Sequence, residues 1–185
     1  MSNLHLDKHH ISVLIRKKDL ILEFKQLETL STELGVELQK NNLLFTCAES
    51  CTGGLLSQSI VSVPGSSAWF GCSFITYSNI SKHKILGVSK NTLNDFGAVS
   101  EEVVDEMVSG ALKESRSNLG IAISGIAGPG GGTPQRPVGT VCVAWKLNES
   151  KTIKETFLFD GNRNEVRYQT VIRALEGAID LIKEN

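Results

Sequence analysis

Hydrophobic residues recur along this chain at two spacings, one typical of amphipathic helices and one typical of buried strands. Between residues 22 and 38, apolar positions recur at three or four residues, at Leu27, Leu30, Leu34 and Leu38, which predicts a helix with one apolar face. Leu43–Phe45 then predicts a short buried strand, and residues 55–61 return to helical spacing. Residues 1–20 show neither pattern, so we predict a poorly ordered N-terminal extension there and one folded domain over residues 21–185.

Strands and helices alternate along the remainder of the chain. Runs of β-branched and aromatic residues predict strands at residues 70–77, 119–124, 138–145 and 153–159. Helical spacing and capping residues predict helices at residues 79–87 and 90–96, after Ser100, and after Arg163. Helices between the early strands require parallel pairing, whereas the last two strands can pair as an antiparallel hairpin. The predicted fold is a single three-layer α/β/α domain with a mixed, mostly parallel sheet.

The composition of the chain narrows the classes of function. Lys and Arg total 19 against 20 Asp and Glu, a formal net charge of -1, and aromatic residues make up only 6%. This balance argues against direct binding of nucleic acid, which uses basic surfaces and stacking platforms. No apolar run is long enough to span a bilayer, and the N-terminus lacks the pattern of a secretory signal. The four cysteines show no disulfide or zinc spacing, so we expect a cytoplasmic protein that does not contact membranes.

The richest candidate chemistry lies where the first predicted strand turns into a helix, across Glu49 to Gly54. Ser50 offers a nucleophile here, and main-chain N–H groups at a helix start can stabilise an anion or an oxyanion. A serine hydroxyl, however, needs a base to remove its proton. Without such a base, Ser, Thr and Gly in this turn equally well mark the start of a helix.

Three further segments are predicted to reach the same edge of the sheet. Tyr77 and Lys82 follow the second predicted strand, and they arrive beside Ser50 if the first two strands are neighbours. A buried lysine can act as a general base, whereas an exposed one is only a solvated side chain. The glycine-rich segment 125–133 either approaches an anion closely or is simply a long loop. Arg163 either clamps a phosphate or pairs with a surface carboxylate.

Six sequence blocks, taken in order, give the chain a specific family resemblance. They are Ala48–Gly54, Pro64–Phe70, Thr76–Asn79, Gly97–Glu101, Ser124–Pro129 and Pro137–Val141. Together they resemble the C-terminal domain of CinA, the competence/damage-inducible family, whose stand-alone members include bacterial nicotinamide-nucleotide amidases. The resemblance covers nearly all of residues 22–181.

This resemblance implies an activity and a set of site residues. The implied reaction is hydrolysis of the carboxamide of nicotinamide mononucleotide to nicotinate mononucleotide and ammonia, in pyridine-nucleotide recycling. By position, Ser50 is implied as the nucleophile, Lys82 as its base and Tyr77 as an adjacent polar participant. The residues implied to bind the substrate or the oxyanion are Glu49, Thr52, Gly53, Gly54, Ser124, Gly125, Ala127, Gly128, Pro129, Gly130 and, for the phosphate, Arg163. The scheme requires no metal and no cofactor, and the stand-alone members of the family imply a homo-oligomer.

Three alternatives stay open on the sequence alone. The first is a catalytically inactive nucleotide-binding module that retains the fold. The second is a thiol enzyme that uses Cys51, which lies beside a helix start where a thiolate is stabilised. The third is a DNA-linked competence factor, as the family name suggests, but the balanced charge and few aromatic residues disfavour it.

Overall fold

The computed structural model describes residues 8–148 and 152–185. Its helices are α1 (Lys8–Lys40), α2 (Leu55–Val61), α3 (Asn79–Leu86), α4 (Lys90–Phe96), α5 (Glu101–Ser115) and α6 (Arg163–Lys183). Its strands are β1 (Phe45–Glu49), β2 (Phe70–Ile75), β3 (Leu119–Gly125), β4 (Thr140–Leu147) and β5 (Ile153–Leu158). Each predicted strand has a counterpart in this set, although the first lies further along the chain than predicted.

Helix α1 is longer than the sequence pattern predicts. It begins at Lys8, inside the predicted extension of residues 1–20, and its added turns contain Leu, Lys and Arg, which cost little in a helix. Residues 1–7 lie outside the described residues, so the predicted boundary of the extension stays a prediction. Neither α1 nor any other helix of the described chain combines the length and apolar character needed to cross a membrane.

The strands of the described residues form one mixed sheet, in the order β2-β1-β3-β4-β5. β1 pairs in parallel with both β2 and β3, and β4 pairs antiparallel with β3 and β5. All strands except β4 therefore run in the same direction, which confirms the predicted mixed, mostly parallel sheet. The predicted hairpin of the last two strands is confirmed as well.

Helices cover both faces of the sheet, and each face has its own apolar core. α1, α2 and α6 pack on one face, around buried residues that include Phe45, Trp69 and Trp145. α3, α4 and α5 lie on the other, around a second cluster that includes Val104 and Met107. This arrangement is the predicted three-layer α/β/α domain.

The strand register brings three chain segments out of the sheet side by side. Glu49, the last residue of β1, pairs with Ile75 at the end of β2 and with Ile123 near the end of β3. Because these strands are parallel, the residues that follow them emerge at the same edge of the sheet. Ser50 is the first residue after β1, and its N–H still donates to the main-chain oxygen of Ile123 at 3.0 Å.

Candidate active site

Ser50 and Lys82 meet at this edge of the sheet. Lys82 Nζ lies 2.9 Å from Ser50 Oγ and 2.7 Å from the main-chain oxygen of Thr76. The lysine side chain is 1% exposed and Ser50 is 8% exposed. Among the described residues, no carboxylate forms an ion pair with Lys82. A buried amine that faces a hydroxyl and a carbonyl, without a neutralising carboxylate, is well placed to give up its charge and act as a base.

The peptide of Thr76 connects the two side chains through the backbone. Its N–H donates to the main-chain oxygen of Glu49 at 2.9 Å, while its oxygen accepts from Lys82 Nζ. Ser78 caps the start of α3 by accepting from Ser81 N–H, and it also accepts from the N–H of Lys82 through its main-chain oxygen. Thr76, which follows β2, and Ser78, which caps α3, therefore hold Lys82 close to the main chain of Glu49 and so to Ser50.

Burial sets the proton affinity of the lysine. Desolvation lowers the pKa of Lys82 from 10.5 to about 8, because the charged amine loses hydration that the site does not replace. A neutral amine can donate one hydrogen to Thr76 and offer its lone pair to the hydroxyl of Ser50. A general base is most effective when its pKa lies near the pH of the reaction, and a pKa of about 8 is close to neutrality.

Burial favours the neutral form of the neighbouring Cys51 thiol as well, but for a thiol the neutral form is the unreactive one. It raises the pKa of Cys51 from 9.0 to about 12. The thiolate, which is the reactive form of cysteine, is therefore scarce at neutral pH. This argues for Ser50 and against Cys51 as the nucleophile.

The turn that follows Ser50 uses its own main-chain donors internally. Gly53 and Gly54 have φ values of +59° and +96°, a left-handed conformation that glycine adopts without steric cost. The N–H of Gly53 donates to the main-chain oxygen of Ser50 at 3.1 Å, and that of Gly54 donates to Glu49 Oε2 at 2.9 Å. These two donors, predicted as oxyanion ligands, already have partners within the protein.

A cleft of about 260 Å³ opens beside the Ser50–Lys82 pair. Its walls come from the segments that follow β1, β2 and β3, from the segment before α5 and from the start of α6. The predicted site residues that line it are Ser50, Tyr77, Lys82, Ser124, Gly125, Ala127, Gly128, Gly130 and Arg163. The structure thus brings most of the predicted site together in one concave region.

Arg163 ties two of these segments together at the cleft. Its Nη1 donates to the main-chain oxygen of Gly128 at 2.8 Å, and its Nη2 donates to the hydroxyl of Tyr77 at 3.1 Å. Tyr77 is 63% exposed, so this contact is open to solvent. A guanidinium carries five N–H donors, and those not directed at Gly128 and Tyr77 remain for an anion.

The cleft also contains residues that the sequence-based set omits. One of them, Ala98, is held by a predicted site residue: the hydroxyl of Ser124, which is 1% exposed, donates to the main-chain oxygen of Ala98 at 2.6 Å. Ala98 and Val99 line the cleft, directly before the helix cap Ser100. The family-like block Gly97–Glu101 contains them and was the signal that could have identified them. The other lining residues outside the predicted set are Cys51, Ile126 and Gly131.

Several predicted substrate-binding residues do not line the cleft. They are Glu49, Thr52, Gly53, Gly54 and Pro129. Glu49 is fully buried, and its carboxylate faces the start of α2. A direct role of these residues in substrate binding stays a prediction.

The sequence of this chain is similar to that of known proteins. The model of the CinA C-terminal domain matches residues 27–182. The nicotinamide-nucleotide amidohydrolase PncC of Pseudomonas putida is 49% identical over 155 residues, covering 84% of this chain and 96% of that protein. The protein of the same name from Escherichia coli K12 is 45% identical over 151 residues, covering 82% of this chain and 92% of that protein.

A solved structure extends the similarity to three dimensions. The competence/damage inducible protein CihA from Agrobacterium tumefaciens superposes with a TM-score of 0.82 at 40% sequence identity. The match covers 84% of this chain and 95% of that one. The two chains therefore share the same overall fold.

Proposed function

The chain belongs to the CinA C-terminal domain family, and we propose that it hydrolyses the carboxamide of nicotinamide mononucleotide to nicotinate mononucleotide and ammonia. This activity would serve the recycling of pyridine nucleotides. The observation that carries the proposal is the 2.9 Å contact between Ser50 Oγ and Lys82 Nζ inside a cleft. The names of the relatives from P. putida and E. coli support the substrate.

The first step uses the lysine as a base. Neutral Lys82 takes the proton of the Ser50 hydroxyl while Oγ attacks the carboxamide carbon of the substrate, which forms a C–O bond and a tetrahedral oxyanion. The hydrogen bond to Thr76 holds the amine in place during the transfer. General-base catalysis of this kind contributes about 10²–10⁴-fold to a rate.

Main-chain donors are needed for the oxyanion. The N–H groups of Gly53, Gly54 and Ile126 already have partners. We therefore assign this task to the glycine-rich segment that lines the cleft, through the N–H groups of Ala127, Gly128, Gly130 and Gly131. The loss of one such donor typically costs about 3–4 kcal/mol of transition-state stabilisation.

The remaining steps release the two products. Lys82 returns its proton to the amide nitrogen, the C–N bond breaks, and ammonia leaves an acyl group on Ser50. A water molecule then gives a proton to Lys82 and attacks the acyl carbon, and the Ser50 oxygen recovers that proton as nicotinate mononucleotide departs. Protons and bonds balance over the cycle without a metal or a cofactor.

Arg163 is the proposed ligand for the phosphate of the substrate. It projects from the first residue of α6 into the cleft, where Gly128 and Tyr77 fix its guanidinium. Arginine suits a phosphate because its planar fork can donate two parallel hydrogen bonds. Tyr77 would act through this contact, by orienting the arginine.

We further propose that the protein works in the cytoplasm as a homo-oligomer. The four cysteines are free, as is usual in a reducing compartment. Strand β2 lies at the edge of the sheet. Its last residue, Ile75, is 52% exposed, and Ile80 at the start of α3 is 68% exposed. Exposed apolar residues beside an open strand edge favour contact with a second subunit.

The direct test is to incubate the purified protein with nicotinamide mononucleotide and to quantify ammonia and nicotinate mononucleotide. We expect equal amounts of the two products from the wild type and from Cys51→Ala, and none from Ser50→Ala. Absence of turnover by well-folded wild type would favour the inactive nucleotide-binding module. Loss of activity in Cys51→Ala alone would favour the thiol enzyme.

A further inference from the structure

The side chain of Glu49 is buried beside the nucleophile but turned away from the cleft. It is 0% exposed and does not belong to the lining of the cleft. Its Oε2 accepts from the N–H groups of Gly54 at 2.9 Å and Leu56 at 3.2 Å. Its Oε1 accepts from the N–H of Ser57 at 2.9 Å and from the hydroxyl of the same residue at 2.5 Å.

We propose that Glu49 is a positioning residue for the Ser50 nucleophile, holding the turn that presents the hydroxyl to Lys82. This inference rests on the proposed role of Ser50 in amide hydrolysis. Glu49 does not line the cleft, so the contribution proposed for it is made through the backbone of its neighbour.

The carboxylate fixes both ends of the nucleophile turn at once. Its own residue closes β1, and its hydrogen bonds hold the first turn of α2, so the residues between 49 and 54 are bracketed by one side chain. The two left-handed glycines, Gly53 and Gly54, allow the chain to fold back far enough for this contact. A movement of α2 is thereby transmitted to Ser50.

The capping arrangement of α2 explains why the carboxylate comes from residue 49. A helix start is normally satisfied by a Ser, Thr, Asp or Asn at the cap position itself. Here the cap is Gly54, which has no side chain, and the donors of α2 reach back to the residue before the nucleophile. A local cap would stabilise α2 equally well but would not tie it to Ser50.

A second contact holds the same turn from helix α6. Arg167 donates from Nη2 and Nε to the main-chain oxygen of Thr52, at 2.6 and 3.2 Å. The segment between Glu49 and α2 is therefore held by two side chains, Glu49 from the core and Arg167 from α6. Such double anchoring is expected where a displacement of the nucleophile by about 1 Å can cost about 10²-fold in rate.

The test compares two Glu→Gln variants that both weaken a helix start. Glu49→Gln replaces one acceptor oxygen by a donor that faces N–H groups. Glu106→Gln is the matched control, because the half-buried Glu106 carboxylate accepts from Ser89 N–H and Thr92 Oγ1, both at 2.5 Å, at the start of α4 and does not line the cleft. We measure kcat, KM and the melting temperature for each.

A positioning role predicts a split between the kinetic constants. We expect Glu49→Gln to lower kcat by about 10–100-fold, with KM for nicotinamide mononucleotide unchanged, at a temperature where the variant is fully folded. Glu106→Gln should lose thermal stability and keep kcat. Equal kcat in the two folded variants would show that Glu49 only stabilises a helix, and would overturn the proposal.

Two additional measurements keep the test independent of folding and of substrate identity. Ser57→Ala removes only the hydroxyl donor at 2.5 Å and leaves the charge buried as before, so a fall in kcat at constant KM is expected here too, and an unchanged kcat would count against the proposal. A fluorophosphonate that labels Ser50 reports the reactivity of the nucleophile directly. Slower labelling of Glu49→Gln than of Glu106→Gln supports positioning even if nicotinamide mononucleotide is not the substrate, and equal labelling rates contradict it.

Discussion

Two serine–lysine contacts lie towards opposite ends of the sheet, and only one has the surroundings of a catalytic pair. Lys82 Nζ lies 2.9 Å from Ser50 Oγ, and Lys146 Nζ lies 3.2 Å from Ser109 Oγ. The two distances differ little. Lys82, however, is 1% exposed and also donates to a main-chain oxygen, whereas Lys146 is half-buried and lines an open surface depression.

The difference teaches that proximity of an amine to a hydroxyl does not by itself produce a base. The depression that Lys146 lines is open to solvent and is also lined by Lys113 and Arg116. At Lys82 the surrounding protein removes hydration and no described carboxylate compensates, which favours the neutral amine. Burial without a counter-charge distinguishes the pair at Ser50.

The largest expected effect separates the two lysines. Lys82→Met should lower kcat by about 10²–10⁴-fold, the usual contribution of a general base. The control Lys146→Met should leave kcat unchanged, because Lys146 does not line the cleft. Steady-state ammonia release measures both. Near-normal turnover by Lys82→Met would remove the lysine from the base role.

The next effect concerns pH. Since Lys82 must be neutral to accept a proton and its pKa is lowered to about 8, kcat/KM should rise with pH and level off above that value. Below the pKa the rise should be about tenfold per pH unit, which makes pH 6 about 100-fold slower than the plateau. Lys146→Met should show the same profile. A rate that is flat between pH 6 and 9 would contradict this mechanism.

A smaller effect is expected from the proposed phosphate ligand. Arg163→Ala should lower kcat/KM for nicotinamide mononucleotide by about 10–100-fold, the value of a hydrogen bond to a charged group. It should change hydrolysis of nicotinamide riboside, which lacks the phosphate, much less. Lys113→Ala at the opposite depression serves as the control for a general loss of positive charge. An equal effect of Arg163→Ala on both substrates would show that Arg163 does not bind the phosphate.

The smallest expected effect is on stability. The folded-state pKa of Lys82 is about 8 against an ordinary value of 10.5, so between these values the unfolded chain binds a proton that the folded chain does not. The free energy of unfolding of the wild type, relative to Lys82→Met, should therefore increase as pH rises from about 8 towards 10.5. Chemical denaturation at several pH values measures this difference, and a constant difference would indicate an ordinary lysine.

The sequence predicts the sheet and the convergence of Ser50 with Lys82 because both depend on strong local signals. Apolar runs separated by helices require parallel strands, and parallel strands deliver the segments that follow them to one edge. The six family-like blocks then supply the residue roles. Hydrophobic patterning alone supports no more than the meeting of these segments.

The burial of Lys82 could not be predicted from the pattern of hydrophobic residues. In helix α3 the apolar residues Ile80 and Ile85 are 68% and 46% exposed, while the lysine between them is 1% exposed. Hydropathy favours burial of the isoleucines rather than of the lysine, so the pattern does not indicate a buried amine at position 82. The carbonyl of Thr76 is equally invisible in sequence, since every residue type has one.

The orientation of Glu49 was only partly accessible to prediction. Alternation along β1 places Cys47 and Glu49 on the same face, and Cys47 belongs to the core shared with α2. This period-two pattern points the carboxylate towards that core and away from the cleft. The family resemblance instead implied that Glu49 binds the substrate, although the alternation along β1 indicates a carboxylate that faces the core.

The hydrogen bond between Ser50 N–H and the main-chain oxygen of Ile123, at the end of the β1–β3 pairing, has a consequence for folding. The main-chain N–H of Ser50 is paired with Ile123, more than seventy positions away, and its side chain meets a lysine supplied through β2 on the other side. Both contacts are non-local, so they form only after large loops have closed. If Ser50 and Lys82 carry the reaction as proposed, a chain in which β1 has not yet paired with both β2 and β3 has no assembled catalytic pair, and turnover begins only after both pairings have formed.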